Sequence, residues 1–133
     1  MSKLETPMTR WYWQQIGGTL IEEFPAVERT PTCGRRLLDA VIILGEKPRI
    51  AHRSEVKIED IEDKDVIVVQ TKASRLGMYL MGQALFSAKL IERCKPRSVV
   101  SVALVKEDDS VLRELLDEYP NVRVVICPDL PMN

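Results

Sequence analysis

The segment DVIVVQTKAS, residues 65–74, most constrains the fold of this chain. Its run of valine and isoleucine has the composition of a buried strand. Residues 77–94 then place apolar side chains at mostly helical spacing, and Pro96 ends that helix. A second strand, SVVSVALV, occupies residues 98–105 and is nearly all apolar. This order predicts two parallel strands joined by a right-handed crossover helix.

The rest of the chain predicts further strands and helices around that unit. Thr9 is expected to cap a short first helix, which Gly17 and Gly18 end. Residues 1–8 are expected to form a loose tail, and residues 45–64 a charged insertion or hairpin arm. The other elements are strands at 19–28, 37–44 and 122–127 and a helix near 108–119. Together they predict an α/β fold whose mixed central sheet is flanked by helices on both faces.

Length and composition favour one ordinary globular domain spanning residues 1–133. Hydrophobic residues make up 45% and charged residues 29%, as in soluble globular proteins. The net charge is −1, so any nucleic-acid surface must be local. No apolar run approaches the roughly 20 residues that span a bilayer. The first residues lack an apolar signal region, so we expect a cytoplasmic protein without membrane contact.

Polar residues interrupt two of the apolar strands. Asp39 lies inside LLDAVIIL, while Gln70 and Lys72 end the strand that starts at residue 65. Alternate side chains of a strand share a face, so Gln70 and Lys72 should point together. A lone buried charge is unfavourable unless it is paired or binds a metal. These residues therefore predict one polar site where both strands end.

A structural explanation exists for each of these residues. Asp39 could form an ion pair with Arg35 or Arg36, which precede it on the same strand. Gln70 and Lys72 could mark the point where their strand emerges into solvent. The competing chemical explanation is metal-assisted phosphodiester hydrolysis. A carboxylate and an amide oxygen suit a hard divalent cation, which activates water, and a lysine can stabilise developing negative charge.

The residues LLD at 37–39 and VQTK at 69–72 resemble the PD-(D/E)xK nuclease superfamily. Its Mrr-type restriction-endonuclease branch carries a Q-x-K form of the motif. The order of elements over roughly residues 10–127 is also similar to that superfamily. The resemblance implies a restriction-endonuclease-like core and a Mg²⁺- or Mn²⁺-dependent endonuclease that hydrolyses DNA phosphodiester bonds. It implies that Asp39 is the central metal-binding acid, Gln70 the second metal position and Lys72 the catalytic lysine.

Further site residues follow from the same resemblance. Gln83 is similar to the glutamine that RecB-like members carry on the helix after the lysine. Many members place a glutamate on the first helix, where this chain is expected to offer Gln15 instead. Glu22 or Glu23, on the next strand, would then replace that acid. Independently of the resemblance, Arg35, Arg36, Lys72 and Arg75 could form a local basic rim for a phosphate backbone, and Gln83 is a further candidate for nucleic-acid binding.

Two functions therefore remain open. In the first, the protein cleaves nucleic acid, DNA rather than RNA, as a homodimer or as an accessory to a larger complex. In the second, it is a catalytically impaired nuclease-fold protein that binds nucleic acid or a protein partner. The second alternative is motivated by the glutamines at positions where most relatives carry acids.

Overall fold

The computed structural model describes residues 1–131. Its elements are helices α1 (Glu5–Ile16), α2 (Met78–Glu92) and α3 (Ser110–Leu116) and strands β1 (Thr19–Val27), β2 (Arg36–Ile43), β3 (Arg49–Ala51), β4 (Asp65–Arg75), β5 (Ser98–Glu107) and β6 (Val122–Ile126). The six strands form one sheet in the order β3-β1-β2-β4-β5-β6. β2 is antiparallel to both β1 and β4, whereas β5 is parallel to β4 and to β6. The predicted α/β fold with a mixed sheet is confirmed.

Helices cover both faces of the sheet, as predicted. Met8 and Tyr12 of α1 pack on one face, and Ile91 of α2 packs on the other. Successive residues of the central strands alternate between the two cores, because strand side chains alternate in direction. The α1 core contains Ala40, Ile42, Ile67 and Val69, and the α2 core contains Val41, Ile43, Val66 and Val68. No helix among residues 1–131 is both long and apolar enough to cross a membrane.

The N-terminal segment differs from the prediction of a loose tail over residues 1–8. Helix α1 begins at Glu5, and Met8 is fully buried in the core. The hydroxyl of Ser2 accepts a hydrogen bond from the Glu5 amide, and the Glu5 carboxylate accepts one from the Ser2 amide. Such a reciprocal pair is a helix-start signal. Thr9, the predicted cap, is instead buried inside the helix.

Residues 45–64 form part of the sheet rather than a hairpin arm. For residues 49–58 the sequence predicts an edge strand or a hairpin arm, and the edge strand is confirmed, because β3 lies at the edge of the sheet and runs parallel to β1. Two short 3₁₀ helices follow, at Arg53–Glu55 and Ile58–Ile61. Ile61 is fully buried in the α2 core, and this contact fixes an otherwise charged segment to the body of the protein.

Candidate functional site

Asp39 lies where the pairing of β2 with β4 ends. The two strands pair from Ile43–Val66 to Ala40–Val69. Beyond that point the Asp39 carboxylate accepts a hydrogen bond from the Thr71 backbone amide, with an Oδ2–N distance of 2.9 Å. Burial raises the pKa of Asp39, and the Thr71 hydrogen bond lowers it to a smaller extent. A partly desolvated carboxylate at the end of a central strand is a typical feature of functional sites.

Two further carboxylates influence Asp39. The negative charges of Glu5 and Glu23 both raise the pKa of Asp39, and the amino group of Met1 lowers it. Glu23 accepts hydrogen bonds from that amino group at 2.7 Å and from Arg53 at 3.0 Å. The amino-group hydrogen bond is the largest cause of the lowered pKa of Glu23. The charges of Glu5 of α1 and Glu23 of β1 therefore act on Asp39 of β2 without a direct contact among the three carboxylates in the described residues.

A buried pair of hydroxyls fixes α1 against this region. The side chains of Thr9 and Thr71 lie 2.8 Å apart, and both residues are buried. Thr71 also supplies the backbone amide that holds Asp39. The position of Asp39 thus depends on how α1 packs against β4.

Gln70 is buried rather than exposed at the rim of the sheet. Only 3% of the residue is accessible, and its side-chain amide donates to Ser87 Oγ of α2 at 2.6 Å. The Ser87 hydroxyl in turn donates to the backbone carbonyl of Gln83. Within residues 1–131, no hydrogen bond joins the Gln70 side chain to Asp39. The predicted second metal position is therefore directed toward α2, where it contacts Ser87, and only the backbone carbonyl of Gln83 takes part, through its hydrogen bond with Ser87.

Lys72 is exposed at the end of β4. Strand alternation places it on the same side of β4 as Gln70, the side opposite Thr71. In the described part of the chain its ammonium makes neither an ion pair nor a hydrogen bond. The structure thus brings Asp39 to the backbone between Gln70 and Lys72, but not into contact with either side chain.

The other predicted acids and amides are placed differently. The Glu22 carboxylate accepts from Arg10 Nε at 2.7 Å. Gln15 is exposed near the C-terminal end of α1. Glu5 lies ten residues earlier, about 15 Å along the helix axis at 1.5 Å per residue. Since the Glu5 end interacts with Asp39, the first-helix acid that sequence reasoning missed is Glu5. The S-x-x-E pattern at residues 2–5 is the signal that marks its helix.

The predicted basic residues fall into two groups. Arg75 forms an ion pair with Glu107 at 2.9 Å, so its charge is locally balanced. Arg35 and Arg36 are exposed and have no carboxylate partner within residues 1–131. Arg29, at the other end of the connection between β1 and β2, is also exposed and has no carboxylate partner there. The expected alternative, an ion pair between Asp39 and Arg35 or Arg36, is absent from the described residues. Six arginines do pair with carboxylates: Arg10, Arg49, Arg53, Arg75, Arg97 and Arg113.

Comparisons with protein-family models, with curated proteins and with solved structures find no match for this chain. Residues 1–131 also contain no group of three or more His, Cys, Asp or Glu side chains placed to hold a metal ion.

Proposed function

We propose that this protein is a metal-dependent, endonuclease-like protein that hydrolyses DNA phosphodiester bonds. The observation that carries the proposal is Asp39, a partly buried carboxylate with a raised pKa and no cationic side-chain partner in the described chain. Burying such a group lowers stability, and carboxylates kept in this state are concentrated at functional sites. Lys72 is exposed at the end of the neighbouring strand, as the alternative of a strand that emerges into solvent also predicts, so its catalytic role rests on the resemblance.

The order of elements supports a restriction-endonuclease-like core. α1 precedes an antiparallel β1-β2-β4 unit, and α2 then leads to β5, parallel to β4. This is the order that the resemblance of the D…Q-x-K residues implies. In this interpretation β3 and the two 3₁₀ helices are an insertion between the strands that carry Asp39 and Lys72.

The donor set suits Mg²⁺ or Mn²⁺ bound weakly and together with the substrate. The backbone amide of Thr71 donates a hydrogen bond to Asp39 Oδ2, whereas Asp39 Oδ1 accepts no hydrogen bond from the described residues. Oδ1 would bind the cation, and the charge of Glu5 would favour its approach. The charge of Glu23 is balanced by Arg53 and by the Met1 amino group, whose positive charge also acts on Asp39. When bound, the metal supplies an activated water and polarises the phosphate.

The chain's own residues have separate roles in this proposal. Asp39 would hold the cation, and Thr71 holds the carboxylate in place. Lys72 places a positive charge beside the phosphate and stabilises the negative charge that develops there. Gln70 acts as a positioning residue, because its amide ties β4 to Ser87 of α2.

The connection between β1 and β2 is the proposed contact for the phosphate backbone. Arg29, Arg35 and Arg36 are exposed and unpaired there within the described residues. Arg36 precedes Asp39 by three residues, about 10 Å along an extended strand. Arginines in this position can bind phosphates on either side of the bond that is cleaved.

Cleavage of plasmid DNA in Mg²⁺ or Mn²⁺ tests the catalytic assignment. Wild type is expected to convert supercoiled plasmid to nicked or linear forms, and D39N and K72A are expected to lose at least about 100-fold in rate, the scale of a lost electrostatic contribution. K89A removes an exposed lysine of α2 and serves as the matched control, with an unchanged rate. Cleavage at the wild-type rate by D39N and K72A would refute the assignment.

The salt dependence of DNA binding tests the basic contact separately from cleavage. We expect the triple variant R29A/R35A/R36A to reduce the slope of log K against log[salt] by up to about 2–3. The variant R49A/R75A/R113A removes the same charge from arginines that pair with carboxylates, so its slope should stay near the wild-type value. Equal slopes for the two triple variants would contradict the proposed surface.

A second function is favoured by one specific arrangement. Gln70 hydrogen-bonds to Ser87, and the described residues contain no cluster of three acids. Both features fit a catalytically impaired nuclease-fold protein that binds nucleic acid. This candidate predicts DNA binding that depends on Arg29, Arg35 and Arg36 but no cleavage with either metal.

A further inference from the structure

Helix α2 exposes three large apolar side chains on one side. Tyr79 is 82% accessible, Met78 is 78% accessible and Phe86 is 71% accessible. Tyr79 and Phe86 are seven residues apart, so they lie on the same side of the helix about two turns from each other. Gly82 lies between them, and a Cβ at that position would meet no atom within 4 Å. We call these four residues the α2 patch.

The α2 patch is uncharged in a chain rich in charge. No Asp, Glu, Lys or Arg occurs from Leu76 to Ala88, although charged residues make up 29% of the sequence. A patch without cations is a poor binding surface for a nucleic-acid backbone. The patch itself creates no like-charge repulsion when it meets an identical patch. Lys89 lies one turn beyond Phe86 on the same side of α2, where it pairs with Glu92. Contiguous exposed apolar surface of this kind marks a protein contact.

The size of the α2 patch suits a small symmetric interface. Large side chains bury 150–250 Å² each, so the exposed parts of Tyr79, Met78 and Phe86 provide roughly 450 Å² per copy. Two copies would bury roughly 900 Å² from these side chains alone, close to the 1,000 Å² or so that a specific interface needs. Side chains at the edge of the patch would add the remainder.

We propose that two copies of this chain associate through their α2 patches. The helices cross antiparallel about a two-fold axis beside Gly82, so Tyr79 of each copy packs against Phe86 of the other. The absent Cβ of Gly82 lets the two helix backbones approach closely at the axis. A two-fold contact of one patch with itself is the commonest form of homo-oligomer. The proposal concerns association alone and does not rest on the proposed nuclease function.

Sedimentation equilibrium tests this interface without DNA or metal. We expect wild type to dimerise reversibly, and F86E to raise the dimer dissociation constant at least about 30-fold because the charge would be buried without a partner. V111E changes an exposed apolar residue of α3 outside the patch and should leave the dissociation constant unchanged. The variants should keep the wild-type circular dichroism spectrum, because both side chains are exposed.

A second variant separates close helix approach from general hydrophobicity. G82Q adds a side chain in open space on the monomer, so the monomer should fold and melt at a higher temperature. The same side chain would obstruct the axis of the dimer and weaken association. A wild-type protein that stays monomeric up to millimolar concentration would overturn the proposal. So would F86E and V111E proteins with equal dissociation constants, or a monomeric wild type whose binding to single-stranded DNA falls in F86E.

Discussion

Replacing Ser87 by alanine tests whether Gln70 is held by α2. The side-chain amide of Gln70 is buried and donates to Ser87 Oγ at 2.6 Å. Removing that acceptor leaves a buried donor unsatisfied, which costs about 1–3 kcal/mol. Alanine has a higher helix propensity than serine, which raises the free energy of unfolding by roughly 0.5 kcal/mol. The expected net loss in the free energy of unfolding is therefore about 1–2 kcal/mol.

Urea denaturation measures this loss. With a slope of about 1–3 kcal/mol/M, the midpoint of S87A should fall by roughly 0.3–2 M. S74A removes an exposed hydroxyl of β4 and should change stability by less than about 0.5 kcal/mol. The double variant Q70L/S87A removes both polar groups and should recover most of the loss. An S87A midpoint equal to wild type would refute the account, because Gln70 would then be free to turn toward Asp39.

Three further measurements test the site and its frame. Burial raises the pKa of Asp39, so its ionised form destabilises the native state as pH rises above the unfolded pKa of 3.8. At neutral pH the free energy of unfolding of D39N should therefore exceed that of wild type by roughly 0.5–2 kcal/mol. In a series of urea melts at different pH, this difference should vanish in acid. The free energy of unfolding of G18A should fall by about 1–3 kcal/mol in the same melts, because φ of Gly18 is +80° and a Cβ would lie 2.5 Å from the Ile43 carbonyl oxygen. A decrease below about 0.5 kcal/mol would contradict this explanation. Hydrogen bonds from Arg97 and Ser98 lower the pKa of Asp65 to about 2, and NMR titration of R97A should move that pKa back toward 3.8; an unchanged pKa would rule out this cause.

The strands and α2 are predictable from sequence because their signals are local. Apolar runs at 37–44, 65–70 and 98–105 are long enough to identify buried strands, and Pro96 marks the end of α2. The start of α1 was missed because Thr9 and the apolar residues after it suggested a later cap. Pairing between Ser2 and Glu5 decides the start instead. Missing that pair also hid Glu5, the first-helix acid whose charge affects Asp39.

The contacts of the site could not be predicted from the sequence, because they depend on how the helices and strands pack in three dimensions. Strand alternation predicts that Gln70 and Lys72 share a face, but it cannot say which helix covers that face. The structure places α2 and Ser87 there, and α1 and Thr9 opposite. Asp39 bonds to a backbone amide at the end of the β2–β4 pairing, a contact that depends on strand register rather than on residue type. For the same reason, sequence alone does not distinguish Arg75, which is paired, from Arg35, which is unpaired within the described chain.

Binding of Mn²⁺ followed by electron paramagnetic resonance tests the central claim most directly. If Asp39 and a substrate phosphate together hold the cation, wild type should bind Mn²⁺ weakly alone and more tightly with a non-cleavable DNA duplex. D39N should lose the DNA-dependent increase while it still binds the duplex through its unchanged basic surface. Equal Mn²⁺ affinity of wild type and D39N in the presence of the duplex would contradict the claim that Asp39 holds the metal.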